Sequence, residues 1–187
     1  MKKSYTLSWL TLISAILAGF FYYLGNRYLL LSSLFIFLTY VIFLKDMLTE
    51  KSKQESFFQD FTCLYAEVFI LLGILFSKYS HTFFTHFALF GILLTNHIRI
   101  QYHATLVDTN SKKKIGVKEE EYGGILPRSN RLIILIFLPL LEYVFILKGI
   151  TAFYGLSFTD WAMIAFAFLT NITAIQRFIK AYIKFEK

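Results

Sequence analysis

Two pairs of carboxylates stand near the ends of apolar runs, where oxygen ligands and charge can do chemistry. Asp46 and Glu50 are four residues apart, and Asp60 and Glu67 are seven apart. Either spacing brings both members of a pair to one face of a helix. Carboxylates carried toward each other on helix ends could hold a hard divalent cation, Mg2+ or Mn2+, through oxygen. A second set is basic: Lys51, Arg99, Arg128 and Arg131. Guanidinium groups pair bidentately with phosphate, so this set suits a phosphorylated ligand or a lipid headgroup. Each set also has a plainer reading. Asp46 and Glu50 lie beside Lys45, Lys51 and Lys53 and could form surface ion pairs, which contribute little. The arginines could be anchors at a membrane surface, and Asp60 and Glu67 could pair helices. Both readings stay open for Asp60 and Glu67. For Glu142, which has no recognisable neighbour pattern, helix pairing is favoured.

The elements that must position these residues are apolar and long. Six stretches, at about 7–25, 29–48, 57–77, 81–100, 131–150 and 157–178, each approach the length needed to cross a hydrocarbon core. The 187-residue chain is 57% hydrophobic and 19% aromatic, with a mean hydropathy of +0.58. A soluble domain of this length does not carry so many long apolar runs. Backbone polar groups must be satisfied inside the lipid, so the spans are predicted to be helices. Continuous apolar runs, rather than alternation, exclude a membrane barrel. The predicted fold is a single all-α membrane domain of six spans forming three helical hairpins. Ionisable groups within such spans cost about 2.5 kcal/mol or more and so tend to mark function.

Charge orients the bundle. With the N-terminus inside, sixteen of the nineteen Lys and Arg residues fall on the inner side, leaving Arg27, Lys78 and Lys148 outside. This bias predicts that both termini are cytoplasmic. The net charge of +7 is therefore read as topology and headgroup contact, and nucleic acid is not expected as a partner. The one cysteine, Cys63, excludes an intramolecular disulfide and a Cys-rich metal site. Lys2-Lys3 and the apolar run after them resemble a signal peptide. The run continues through Phe20-Phe21-Tyr22-Tyr23 without a small-residue cleavage pattern, so an uncleaved first span is expected.

The polar residues gather in the inner connections. The second of these, from Arg99 to about Asn130, holds Lys112-Lys113-Lys114, Glu119-Glu120-Glu121 and Gly123-Gly124. Such a charge run is usually a solvated loop. Chemistry, if present, is expected on this face.

The order of features resembles the CDP-alcohol phosphatidyltransferases. Six spans, a polar stretch between spans two and three, and a basic stretch before span five carry the likeness over most of the chain. Tyr5-Thr6-Leu7-Ser8, Phe57-Phe58-Gln59-Asp60, Ala66-Glu67 through Gly73, His97-Ile98-Arg99 and Arg128-Ser129-Asn130-Arg131 are similar to that family's helix boundaries. The resemblance implies transfer of a phosphatidyl group from a CDP-linked lipid to an alcohol, in phospholipid biosynthesis. It implies Mg2+ or Mn2+ held by four aspartates of the signature Asp-x2-Asp-Gly-x2-Ala-Arg-x8-Gly-x3-Asp-x3-Asp, where the metals neutralise the pyrophosphate. It also implies a phosphorylated alcohol as acceptor and allows a homodimer. Here the signature is broken. Phe43, Asp46, Gln59 and Cys63 occupy the four aspartate positions, Met47 the glycine and Lys51 the arginine. Asp60 and Glu67 stand near the last two positions but out of register. Displaced carboxylates Asp46, Glu50, Asp60 and Glu67 would have to carry the metal in an active enzyme. The alternatives are a pseudoenzyme that holds a lipid headgroup or nucleotide-lipid on Arg99, Arg128 and Arg131, and an unrelated small transporter or assembly partner. Only one proline, Pro139, interrupts a span, which speaks against a transporter built on paired broken helices.

Overall fold

The computed structural model describes residues 2–49, 52–109, 125–150 and 152–185. Glu50, Lys51 and the loop residues Lys112–Lys114, Lys118–Glu121 and Gly123-Gly124 lie outside the described residues. The described residues form six helices: α1 (Lys2–Leu24), α2 (Tyr28–Met47), α3 (Lys53–Leu75), α4 (Thr82–Thr109), α5 (Arg128–Leu147) and α6 (Phe158–Phe185). All six are long and apolar enough to cross a membrane, with mean hydropathies between 1.2 and 2.0 over their spans. The chain is an all-α, multi-pass membrane protein with six spanning helices.

Helix ends explain where the predicted spans differ. Hydropathy marks where lipid stops, whereas the backbone ladder continues into polar sequence. So α4 runs on to Thr109 and α6 to Phe185, and α1 already begins at Lys2. At the start of α3, Ser52 accepts from the Glu55 N–H while the Glu55 carboxylate accepts from the Ser52 N–H. This reciprocal cap fixes the first turn. Pro127 precedes α5 in extended conformation, with no N–H to leave unsatisfied, so Arg128 opens the helix three residues before the predicted span.

The tight hairpins need unusual backbone. Gly25 (φ 67°) and Asn26 (φ 50°) turn the chain between α1 and α2. Asn26 donates its N–H to the Tyr79 hydroxyl at 2.9 Å and accepts from it at 2.7 Å, tying this turn to the α3–α4 turn. The α5–α6 connection ends in a two-residue hairpin. Tyr154 (φ 53°) and Gly155 (φ 80°) sit at its centre, and Phe153 and Leu156 exchange backbone hydrogen bonds across it.

Packing is uneven. α1 lies against both α2 and α3, α2 also against α5, and α4 against α6; α3 meets α4 only sparsely. The α1–α3 crossing is backbone on backbone. A Cβ built on Gly73 would stand 2.2 Å from the Gly19 carbonyl oxygen, and one on Gly19 would stand 2.3 Å from that of Phe69. Elsewhere hydroxyls stitch the helices: Ser14 to Thr39 at 2.8 Å and Ser32 to the Ala18 carbonyl at 2.8 Å between α1 and α2. Lipid offers no hydrophobic drive for helix association, so small residues and interhelical hydrogen bonds take its place. Ser33 donates to the Ile136 carbonyl at 2.9 Å, tying α2 to α5 one residue after Leu135, whose carbonyl Pro139 leaves without a ladder donor.

Glu142 serves pairing. Its Oε2 accepts from the Thr159 N–H at 2.8 Å and the Thr159 hydroxyl at 2.9 Å, at the N-terminus of α6. A carboxylate there satisfies an orphan donor and meets the positive end of the helix dipole. The Tyr22 hydroxyl of α1 shares a 2.8 Å hydrogen bond with the same Thr159. Three helices are thereby clasped at the end opposite the arginines.

Candidate functional site: an arginine-lined pocket

The basic ends of three helices converge. Arg99 comes from α4, Arg128 and Arg131 from the first turn of α5, and Arg177 from α6. With Asn96, Pro127 and Ser129 they line a cavity of about 340 Å³ whose remaining wall is Phe43, Leu44 and Met47 of α2. Leu44 and Met47 are also exposed on the outside of the bundle. The pocket therefore offers guanidinium groups on one side and apolar surface reaching toward lipid on the other.

α3 supplies the counter-charges. Arg131 is 2% exposed and its Nη2 donates to both oxygens of Glu67, at 3.0 and 2.9 Å; its Nη1 donates to the Leu126 carbonyl at 3.3 Å. Glu67 is itself fully buried. Burial of either charge without the other would cost several kcal/mol, so this pair holds its geometry. Arg128 bridges outward: its Nε stands 3.5 Å from Glu67, its Nη2 donates to Asn96 at 3.1 Å, and its Nη1 stands 3.5 Å from Asp60 Oδ1. Arg99 Nη2 meets the same Asp60 oxygen at 2.8 Å. Seven residues of helix separate the two carboxylates, which places Glu67 about 10 Å deeper than Asp60 along α3.

Asp46 takes another direction. It is 1% exposed, and its Oδ2 accepts from the Ser8 hydroxyl of α1 at 3.0 Å. The sequence suggests a cavity framed by the ends of α2, α3 and α4 and the start of α5, with Asp46 and Asp60 facing in. In the structure α6 takes the place of α3 in the wall, because α1 lies between α2 and α3 and receives Asp46. Asp60 stands behind Arg99 and Arg128 and does not line the pocket.

Of the sequence-derived site residues, Arg99, Arg128 and Arg131 come together, with Asp60 and Glu67 as their partners. Glu50 and Lys51 fall outside the described residues. Arg177 and Asn96 were missed, although a signal existed. Both lie within predicted spans, at positions where a charge or an amide in lipid asks for an explanation.

Mg2+ or Mn2+ would need carboxylates turned toward one point. Asp60 and Glu67 each face two guanidinium groups, at 2.8–3.5 Å and 2.9–3.5 Å, and Asp46 is held on α1. Among the described residues no three His, Cys, Asp or Glu side chains form a group able to hold a metal ion. Fixed positive charges against the carboxylates oppose a second cation there, so this donor set does not fit a hard metal and suits an anion.

A comparison with models of protein families, with curated proteins and with solved structures finds no match to this chain.

Proposed function

We propose that this protein is a divergent relative of the CDP-alcohol phosphatidyltransferases that binds a phosphate-bearing lipid headgroup and does not transfer it. The observation that carries the reading is the pocket wall. Arg99, Arg128, Arg131 and Arg177 meet Phe43, Leu44 and Met47 across one cavity. Guanidinium groups satisfy phosphate oxygens, and the apolar side accepts the start of an acyl chain. Transfer needs metals to neutralise the leaving pyrophosphate and to position the nucleophile. Of the carboxylates that would hold them, Asp60 and Glu67 are engaged by arginines and Asp46 by the Ser8 hydroxyl.

The test uses the full chain in detergent with phosphatidic acid, bound lipid being read by native mass spectrometry. The wild-type protein retains the lipid. Arg177→Ala weakens retention roughly ten- to a hundredfold, as expected for loss of a charge-assisted contact of about 1.5–3 kcal/mol. Unchanged retention would remove the pocket from the account. Metal-dependent release of CMP from a CDP-linked lipid would restore the transferase reading.

The same reading puts the arginine pocket and both termini in the cytoplasm, on the sixteen-to-three charge split. Single cysteines at Ser52 and, on the opposite side, at Tyr154 in a Cys63→Ala background report this. A membrane-impermeant reagent applied to intact cells should label position 154 and spare position 52; the reverse pattern inverts the topology.

A further inference from the structure

The connection between α5 and α6 differs from the two other hairpins at its end of the bundle. Those carry Arg27 and Lys78, whereas Gly149 to Ser157 holds no charged residue and brings Ile150, Phe153, Tyr154 and Leu156 past the end of a span. Phe153 and Tyr154 meet edge to face, ring centroids 4.7 Å apart, and Tyr154 is 87% exposed. Tyr154 also holds a positive φ of 53°, which glycine or asparagine adopts at less cost. Strain at a bulky loop residue points to a use for its side chain. The hairpin is tied down from below. The Trp161 indole N–H of α6 donates to the Phe153 carbonyl at 3.1 Å, and Phe145 stacks on Phe158 at 5.0 Å where the two helices end. Between hairpin and helix ends lies a cavity of about 560 Å³. Phe145, Phe158 and Trp161 of the helices and Ala152, Phe153 and Tyr154 of the hairpin line it, and no polar atom reaches its surface.

We propose that this cavity holds a hydrocarbon chain of a membrane lipid from the leaflet opposite the arginine pocket. Water is a poor occupant, because an apolar cavity gives it no hydrogen-bond partners. A headgroup or a stretch of peptide backbone would bury polar groups unpaired. The cavity is continuous with surface that lipid already covers. Val144 and Leu147 of α5 are exposed beside Phe145, and Trp161 is an exposed residue of a spanning helix. Its volume lies in the range of small-molecule sites, and its rings offer broad apolar contact. Tryptophan and tyrosine settle at the boundary between chains and headgroups. The cavity at that level takes the part of a chain next to the headgroup and leaves the headgroup outside. This lipid is separate from one in the arginine pocket. Arg131 and Phe145 are fourteen residues apart on α5, or about 21 Å, whereas a chain within one leaflet covers about 15 Å.

The experiment reads the fluorescence of Trp161, which Trp9→Phe leaves as the sole tryptophan of the full chain. Phosphatidylcholine with brominated chains, which quench tryptophan on contact, is titrated into this protein in detergent. A held chain gives quenching that saturates at a single lipid per protein. Ala152→Phe fills the cavity and should abolish the saturable phase. Tyr154→Asn removes the ring and places a residue suited to positive φ. It should melt no lower than its parent yet bind the lipid roughly tenfold more weakly. Should Ala152→Phe fail to fold, Tyr154→Asn decides alone. Quenching that climbs with lipid content and never saturates would mean a merely wetted surface and overturn the site. Saturation with unchanged affinity in the variants would overturn it too, by placing the chain elsewhere against Trp161. Either result leaves the arginine pocket to its own test with Arg177→Ala.

Discussion

Glu67 and Arg131 show what a buried charge pair implies for the residue scale. Both are sealed from solvent, and each is the other's main answer to burial. Glu67→Gln leaves Arg131 and part of Arg128 without compensation. Its expected cost is about 3–5 kcal/mol of stability, the range for breaking a buried pair from one side. Replacing both members by Leu should cost less than either single change, because no uncompensated charge remains. Thermal unfolding of the single and double variants in detergent measures the difference; a double variant worse than both singles would show the pair to be net stabilising in its own right. The sequence made these residues visible for a simple reason. A carboxylate two turns inside an apolar run demands a partner, and arginines at the start of another run are the natural candidates. Which arginine meets which carboxylate was not legible, because it depends on the rotation of α3 and α5 about their axes. Asp46 shows the same limit. Its place at the end of α2 was readable, but its turn toward Ser8 was not, since it depends on how α2 is rotated against α1.

At the scale of elements, glycine position decides how close two helices come. Gly73 and Gly91 are both helical glycines at crossings, yet their surroundings differ. A Cβ at Gly73 would collide with the Gly19 backbone, at 2.2 Å from O and 2.4 Å from Cα. One at Gly91 would meet side-chain atoms, Thr170 Oγ1 at 2.5 Å and Asn171 Nδ2 at 2.7 Å. Side chains can rotate away and a backbone cannot. Gly73→Ala should therefore destabilise the bundle by about 1–3 kcal/mol through forced separation of α1 and α3, and Gly91→Ala by clearly less. Equal melting temperatures for the two variants would contradict the close crossing. Six helices were legible from length and hydropathy alone. Their true ends were not, since α4 and α6 extend beyond the apolar runs that reveal them. Nor were the pairings. Apolar faces look alike to lipid and to a neighbouring helix, so Ser14 and Ala18 on α1 become a seam only once α2 is placed beside them.

Seen as a whole molecule, the bundle joins an N-terminal trio to a later pair. α1 holds α2 and α3, α5 returns to α2, and α6 returns to α4. The arginine pocket lies where these groups meet, so its walls come from both, and the α3 carboxylates reach across the joint to Arg99, Arg128 and Arg131. The orientation bias in the charges was readable because insertion responds to loop charge, whatever the packing. The meeting point was not, since it exists only after non-adjacent helices associate. One consequence concerns the order of synthesis. α4 leaves the ribosome long before α6, and α6 is its principal neighbour. Until the last span arrives, the Gly91–Thr95 face that α6 covers in the finished bundle stands open to lipid, while Asn96 and Arg99 already have Arg128 of α5 and Asp60 of α3. The nascent protein thus carries an unfinished polar surface from its fourth span until its sixth, and the final helix works as the closing piece that hides it. A chain cut short before Phe158 would keep five spans and still display this surface, which is the kind of intramembrane flaw that quality-control proteases are equipped to find.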